Sequence, residues 1–204
     1  MISTKHILLM IVMAFITLTA CTTTQMAGTW ENRENFRPAV DDVVVVVLSG
    51  RPEIRRVVEQ DIVEQLTQRE VRALPGSPFL SGGKDQWLQV PWLKLKEENI
   101  RFALVISEFR REGLQSRPRA VNVPDDYLEF YEYYSHSTSV PNVQEYLGSY
   151  QGVSVETNLY DIGNRQLVMS NISDTIKKDD LNEVIHNFVS EILQHMAEKG
   201  YLKK

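Results

Sequence analysis

The chain predicts an α/β domain: a two-layer sandwich with a mixed sheet of four or five strands and two main helices on one face. Three observations carry this. Val43–Leu48 is an unbroken run of six aliphatics, five of them valine, bounded by Asp41-Asp42 and Ser49-Gly50. A β-branched run of that length between turn formers reads as a strand buried on both faces. Two long segments, 51–70 and 180–199, repeat apolar residues at helical spacing. Two helices of about five turns carry enough apolar face to cover one side of a sheet of that size.

The elements follow in order. After the valine strand, Pro52 stands near the first turn of a helix, where a missing N–H costs nothing. Ile54, Val57, Val58, Ile62 and Leu66 form its apolar stripe. Val71–Leu74 is a short strand that stops at Pro75-Gly76. Residues 77–90 are rich in Gly, Ser and Pro and read as a loop. Trp92, Leu93 and Leu95 belong to a short helix from Pro91 to Asn99, and Phe102–Phe109 is a further strand. Val153–Tyr160 sets Val153, Val155, Thr157 and Leu159 against Ser154, Glu156, Asn158 and Tyr160. Such alternation predicts a half-exposed strand. Asp161-Ile162-Gly163-Asn164 has the composition of a hairpin turn, and Gln166–Ile172 is the partner strand. The last helix starts at Asp179 or Asp180, with Glu183 placed as in a capping box. It presents Leu181, Val184, Ile185, Phe188, Val189, Ile192 and Met196 on one side, and Gly200 ends it.

The N-terminus gives an address. Lys5 and His6 precede the apolar run Ile7–Ile16, and small residues lead to Cys21, the single cysteine. That is the layout of a secretory signal. The run is shorter than the roughly 20 apolar residues that span a bilayer. Leu18-Thr19-Ala20-Cys21 resembles the lipobox of bacterial lipoproteins. The resemblance implies cleavage before Cys21 and acylation of its sulfur and its new amino group. One acyl chain anchors only marginally, whereas several anchor stably. Thr22, rather than Asp, follows the cysteine. By the same family's sorting rule, this implies the outer membrane, with the domain facing the periplasm. The expected organisation is a signal peptide over 1–20, a lipidated N-terminus and polar tether over 21–42, and one α/β domain over 43–204. In that tether Trp30 and Phe36 are exceptions, suited to pinning it on the domain, to the bilayer interface or to a partner.

Composition excludes several functions. Removing residues 1–20 from the 204 leaves 184, enough for one domain with a real core. The mature chain loses Lys5, so 22 basic residues become 21 against 27 acidic ones, a balance of −6. That argues against nucleic acid and against electrostatic docking on anionic lipid. With Cys21 lipidated no thiol remains for a disulfide, and no Cys/His cluster suggests zinc.

With the elements in place, the chain resembles a family of small bacterial lipoproteins carrying a domain of unknown function. The residues concerned are the valine strand with Arg51 and the Glu59/Glu64 helix, Ile100–Ile106, Val153–Asp161, and Leu167–Ser170 with the last helix. The strand–turn–strand–helix ending is also similar to the N-terminal domain of the periplasmic translocation protein TolB. The resemblance implies an α/β envelope module that is non-enzymatic, and it brings no catalytic residues.

The densest unusual stretch is 127–150, with Tyr127, Phe130, Tyr131, Tyr133, Tyr134, Tyr146 and Tyr150 interleaved with acids. It holds six of the eight tyrosines. Tyr offers an apolar body with a polar tip at low entropy cost. The stretch therefore reads as packed rings on the sheet, as a surface for a protein partner, or as a platform for sugar rings. No nucleophile elbow, P-loop, dinucleotide fingerprint or His-Glu-x-x-His is present. Ser81-Gly82-Gly83-Lys84 lacks the Gly-Lys-Ser/Thr ending of a phosphate loop. Asp125, Asp126, Glu129 and His136 are the residues a hydrolase would draw on, and they read better as solvated surface. His186 and His195 have neither the spacing nor the neighbours of metal ligands. The expectation is therefore a lipid-anchored binding or structural module without catalytic residues, metal or cofactor. Its partners would be the membrane, through Cys21, and an envelope protein. The alternatives are an accessory subunit of envelope transport or secretion, and a hydrolase of envelope polymers.

Overall fold

The structure, a computed structural model, describes residues 24–32, 39–49, 51–79, 95, 97–108, 152–176 and 180–203. Eight elements are seen. They are β1 (Thr24–Glu31), β2 (Asp42–Leu48), α1 (Pro52–Gln68), β3 (Arg72–Pro75), β4 (Phe102–Glu108), β5 (Gly152–Asp161), β6 (Gln166–Ile176) and α2 (Leu181–Glu198). The six strands form one open mixed sheet in the order β1-β6-β5-β4-β2-β3. β2 pairs in parallel with β3 and β4, and the remaining pairs are antiparallel. The α/β sandwich class is as the sequence predicts. Among the described residues the strand count is six rather than four or five.

The extra strand is β1. Thr24–Glu31 falls where a polar tether was expected, yet it pairs along its length with β6, from Thr24 opposite Thr175 to Glu31 opposite Met169. Edge strands need one neighbour and one buried face, so a segment with few aliphatics suffices. Trp30 anchors it, buried in the cluster that also holds Ile172, Leu167 and Tyr160 on one face of the sheet, while Met26 packs on the other. Val40, also in the expected tether, is buried, and its N–H donates to Tyr201 O at 2.9 Å. Phe36 lies outside the described residues.

The valine run alternates as a two-faced strand must. Val43, Val45 and Val47 face the helices, together with Phe102, Leu104 and Ile106 of β4 and Leu159 and Met169 of the hairpin. Val44 and Val46 join the opposite cluster with Ala103, Val105, Tyr160, Leu95 and Ile100. Both helices pack on the first face. α1 contributes Val58, Ile62 and Leu66, and α2 contributes Ile185, Phe188, Val189, Ile192, Leu193 and Met196. Each such side chain contributes about 1.5–3 kcal/mol by leaving water. The space between helices and sheet, lined by Ile62, Leu104, Phe188 and Ile192, has no room for a water molecule.

Local signals act as the sequence suggests. Asp180 caps α2, its Oδ1 accepting from the N–H of Asn182 (2.9 Å) and Glu183 (3.3 Å). Gly200 takes φ +84 at the other end, which lets Tyr201 N–H reach back to Met196 O at 2.9 Å. At Gly76 a Cβ would stand 2.6 Å from Val45 O, so only glycine lets the chain leave β3 this close to β2. The hairpin turn occupies 162–165.

Two expectations are corrected. β5 is not half-exposed: residues 156–161 are all buried, because both sheet faces are covered there. Val57, expected on the inner stripe of α1, is 41% exposed, and Glu59 is buried in its place.

Candidate functional site: the end of the sheet next to Cys21

The pairing registers set the strand ends in a staggered line across one end of the sheet. Thr24 stands opposite Thr175, Thr175 opposite Val153, Val155 opposite Glu108, and Ser107 opposite Leu48. β3 stops three residues short of the end of β2, with Pro75 opposite Val45. The first residue of this line is three residues from Cys21 in sequence. Each helix follows a strand that finishes here, α1 after β2 and α2 after β6, so both helix N-termini lie at this end. Residues 109–151 leave the sheet at Glu108 and return at Gly152, again at this end.

The end is held by one buried carboxylate. Glu59 of α1 is 1% exposed. Its Oε1 accepts from Val47 N–H at 3.2 Å, and its Oε2 accepts from Ser77 N–H at 3.2 Å and Ser77 Oγ–H at 2.5 Å. A carboxylate can be buried when its lone pairs meet several donors. Here those donors are the last residues of β2 and the turn after β3, so Glu59 ties two strand ends to one helix. Beside it the Arg55 guanidinium donates to Ser49 O at 3.0 Å, and Arg51 N–H donates to Ser49 Oγ at 3.2 Å.

The surface at this end is apolar in places. Among the described residues the exposed large hydrophobics are Val57 (41%), Val153 (39%) and Leu181 (39%). Val57 is in the second turn of α1, Val153 is at the start of β5, and Leu181 opens α2. Val153 shares the helix face of the sheet with Val155 and Leu159, so all three lie on the helix-layer side of the same end.

Two polar groups elsewhere escape sequence reading. Beneath α2, Thr29 Oγ donates to Asn171 Oδ1 at 2.6 Å and lies 2.9 Å from His195 Nε2. Burial, and then the neighbouring Lys199 ammonium, hold the His195 pKa below its ordinary value, against smaller opposing effects of Glu198 and Glu31. Lys199 pairs with Glu31 at 3.4 Å. On the opposite face of the sheet the side-chain polar atoms of Ser107, Asn158 and Ser170 are buried without a hydrogen-bond partner. The other histidine of α2, His186, meets Asp61 Oδ1 at 3.2 Å.

Cys21, Asp125, Asp126, Glu129, His136 and 81–84 lie outside the described residues, as do Tyr127, Phe130, Tyr131, Tyr133, Tyr134, Tyr146 and Tyr150. Among the described residues no three His, Cys, Asp or Glu side chains are grouped to hold a metal, and no helix is long and apolar enough to cross a membrane.

No protein-family model and no curated protein matches the chain. Among solved structures it is similar to the PelC dodecamer from Paraburkholderia phytofirmans, at 12% identity over 83% of this chain and 94% of that chain, with a TM-score of 0.46. A single-substitution PelC dodecamer from the same organism gives 12% identity over 84% of this chain and 95% of that chain, with a TM-score of 0.44. Lipoprotein GNA1162 from Neisseria meningitidis gives 12% identity over 77% of this chain and 96% of that chain, with a TM-score of 0.42. The structural neighbours thus include a bacterial lipoprotein.

Proposed function

We propose that this chain is a lipid-anchored lipoprotein of the outer membrane, facing the periplasm, whose α/β domain serves as a binding or structural module rather than an enzyme. The observation that carries the reading is Leu18-Thr19-Ala20-Cys21 after a short apolar run, with the only cysteine at its end. A cytosolic domain has no use for that arrangement, whereas a lipoprotein precursor requires it. The acidic balance of the mature chain supports a lipid, rather than basic side chains, as the anchor. The carboxylates that are buried at helix and turn positions support a structural role. Glu59 is saturated by Val47 and Ser77, and Asp161 accepts from Asn164 N–H at 3.0 Å and Arg101 at 3.4 Å. Neither is left open to a substrate. The tyrosine-rich stretch 127–150 is the proposed partner surface.

Fractionation of cells expressing the wild type and Cys21→Ser tests the anchor. The wild type is expected in the membrane fraction, released by detergent and not by salt. Cys21→Ser is expected to lose acylation and signal cleavage before residue 21. A variant still acylated and processed there would overturn the reading.

A further inference from the structure

We propose that the end of the sheet where β1 begins rests directly on the phospholipid headgroups, with Val57, Val153 and Leu181 as the contact. The inference rests on the lipid-anchor reading and goes beyond it: it assigns which end of the domain meets the bilayer and through which side chains.

Reach decides the placement. Two residues, Thr22 and Thr23, lie between Cys21 and Thr24, the first residue paired in the sheet, so three residue steps join them. Fully extended they span about 10 Å, at roughly 3.3–3.6 Å each. A headgroup layer is about 5–8 Å deep, from the difference between the hydrocarbon core and the whole bilayer. An acylated Cys21 has its chains in the hydrocarbon, so only a few ångströms of slack remain beyond the headgroups. Thr24 is therefore held at the membrane surface, with its register partners Thr175 and Val153 on the next two strands.

The chemistry of the surface agrees with that placement. The exposed large hydrophobics of the described residues occur at this end, on the helix-layer side. The opposite end exposes Glu70, Arg72, Glu98, Arg101, Arg165 and Lys203 without a large aliphatic among the described residues, whereas at this end the aliphatics stand beside Arg51, Glu53, Arg56, Asp180 and Glu183. An aliphatic side chain at the headgroup boundary leaves water, whereas a charge there must be dehydrated or neutralised. Charge attraction is not the source of contact. The start of α1 carries Arg51, Arg55 and Arg56 with Glu53, and the start of α2 carries Asp180 and Glu183, so the two starts nearly cancel. Contact should consequently be the same on zwitterionic and anionic lipid.

The test uses the processed lipoprotein extracted from membranes. Since Cys21 is blocked by its lipid, a new cysteine is the only thiol. Val57→Cys, Val153→Cys, Leu181→Cys and, at the far end, Lys203→Cys are labelled with an environment-sensitive fluorophore. Each is reconstituted into phosphatidylcholine vesicles with and without headgroup-labelled quencher lipid, and again with phosphatidylglycerol added. Blue-shifted, quenched emission is expected at 57, 153 and 181, with neither effect at 203 and no dependence on phosphatidylglycerol. Equal quenching at all four sites, or quenching only at 203, overturns the proposal while leaving the anchor intact. Emission shifts that follow protein density and ignore the quencher also overturn it, and point to a second copy of the chain on this surface. Protein without acyl mass overturns the anchor reading and this proposal together. Amide exchange of the unsubstituted lipoprotein on vesicles gives a second readout, with slowing expected over 51–58 and absent over 69–72.

Discussion

The two ends of the sheet are built from the same strands and expose different chemistry. The end next to Cys21 keeps the buried carboxylate of Glu59 occupied by Val47 and Ser77 and leaves aliphatic side chains at the surface. The far end exposes charges with no large aliphatic beside them among the described residues. There Asp42 accepts from Arg101 N–H, Arg101 pairs with Asp161, and Lys203 pairs with Glu70. Water suits the second pattern, and a boundary with lipid suits the first. In the orientation proposed, this contrast rather than a cavity marks the surface that meets the membrane.

The contrast can be broken or sharpened in order of expected effect. Glu59→Ala should cost most. It strands two buried backbone N–H groups and a hydroxyl, about 3 kcal/mol of unfolding free energy by urea titration, with Glu59→Gln losing less because one acceptor remains. A cost no greater than that of a surface substitution would mean the strand ends near Cys21 are not tied by this residue. At the far end Asp161→Ala should cost about 1–2 kcal/mol, since it frees the Asn164 N–H of a solvated turn. Asp180→Ala removes the α2 cap and should cost about 1 kcal/mol.

Lower in size is a pH effect. The His195 pKa is below its ordinary value of 6.5 in the fold. The unfolded chain therefore binds the proton first as pH falls. Stability is complete above that value, declines as pH drops through it, and levels off once the folded imidazole also protonates. His195→Gln should flatten this part of the unfolding-versus-pH curve, and an unchanged slope would assign it to other groups. Smallest for stability are Val153→Ser and Leu181→Ser, within about 0.5 kcal/mol as exposed changes. These two should nonetheless weaken contact with vesicles, whereas Lys203→Ser should leave it as it was.

Much of the fold is legible in the sequence because its strongest signals are local. The valine run, Pro52, the hairpin turn, the Asp180 cap and Gly200 each act through neighbours within a few residues. β1 is not legible for the opposite reason. Thr24-Gln25-Met26-Ala27-Gly28-Thr29 has no run or alternation, and becomes a strand only because β6 offers a free edge. β5 misleads in another way. Glu156, Thr157 and Asn158 look like a solvent face, yet both faces are covered. Glu59 falls in a helix position that reads as polar surface, and its donors are 12 and 18 residues away in sequence. The exposed aliphatics are legible as residues but not as a surface. Only the β5–β6–β1 registers bring Val153, and the β6-to-α2 connection Leu181, to the end where Thr24 stands.

The anchor at Cys21 underlies both the function and the orientation proposed for this domain. Intact mass of the protein extracted from membranes tests it most directly. A chain beginning at Cys21 and carrying added acyl mass is predicted. A full-length chain, or a chain with a free Cys21 thiol, would contradict it.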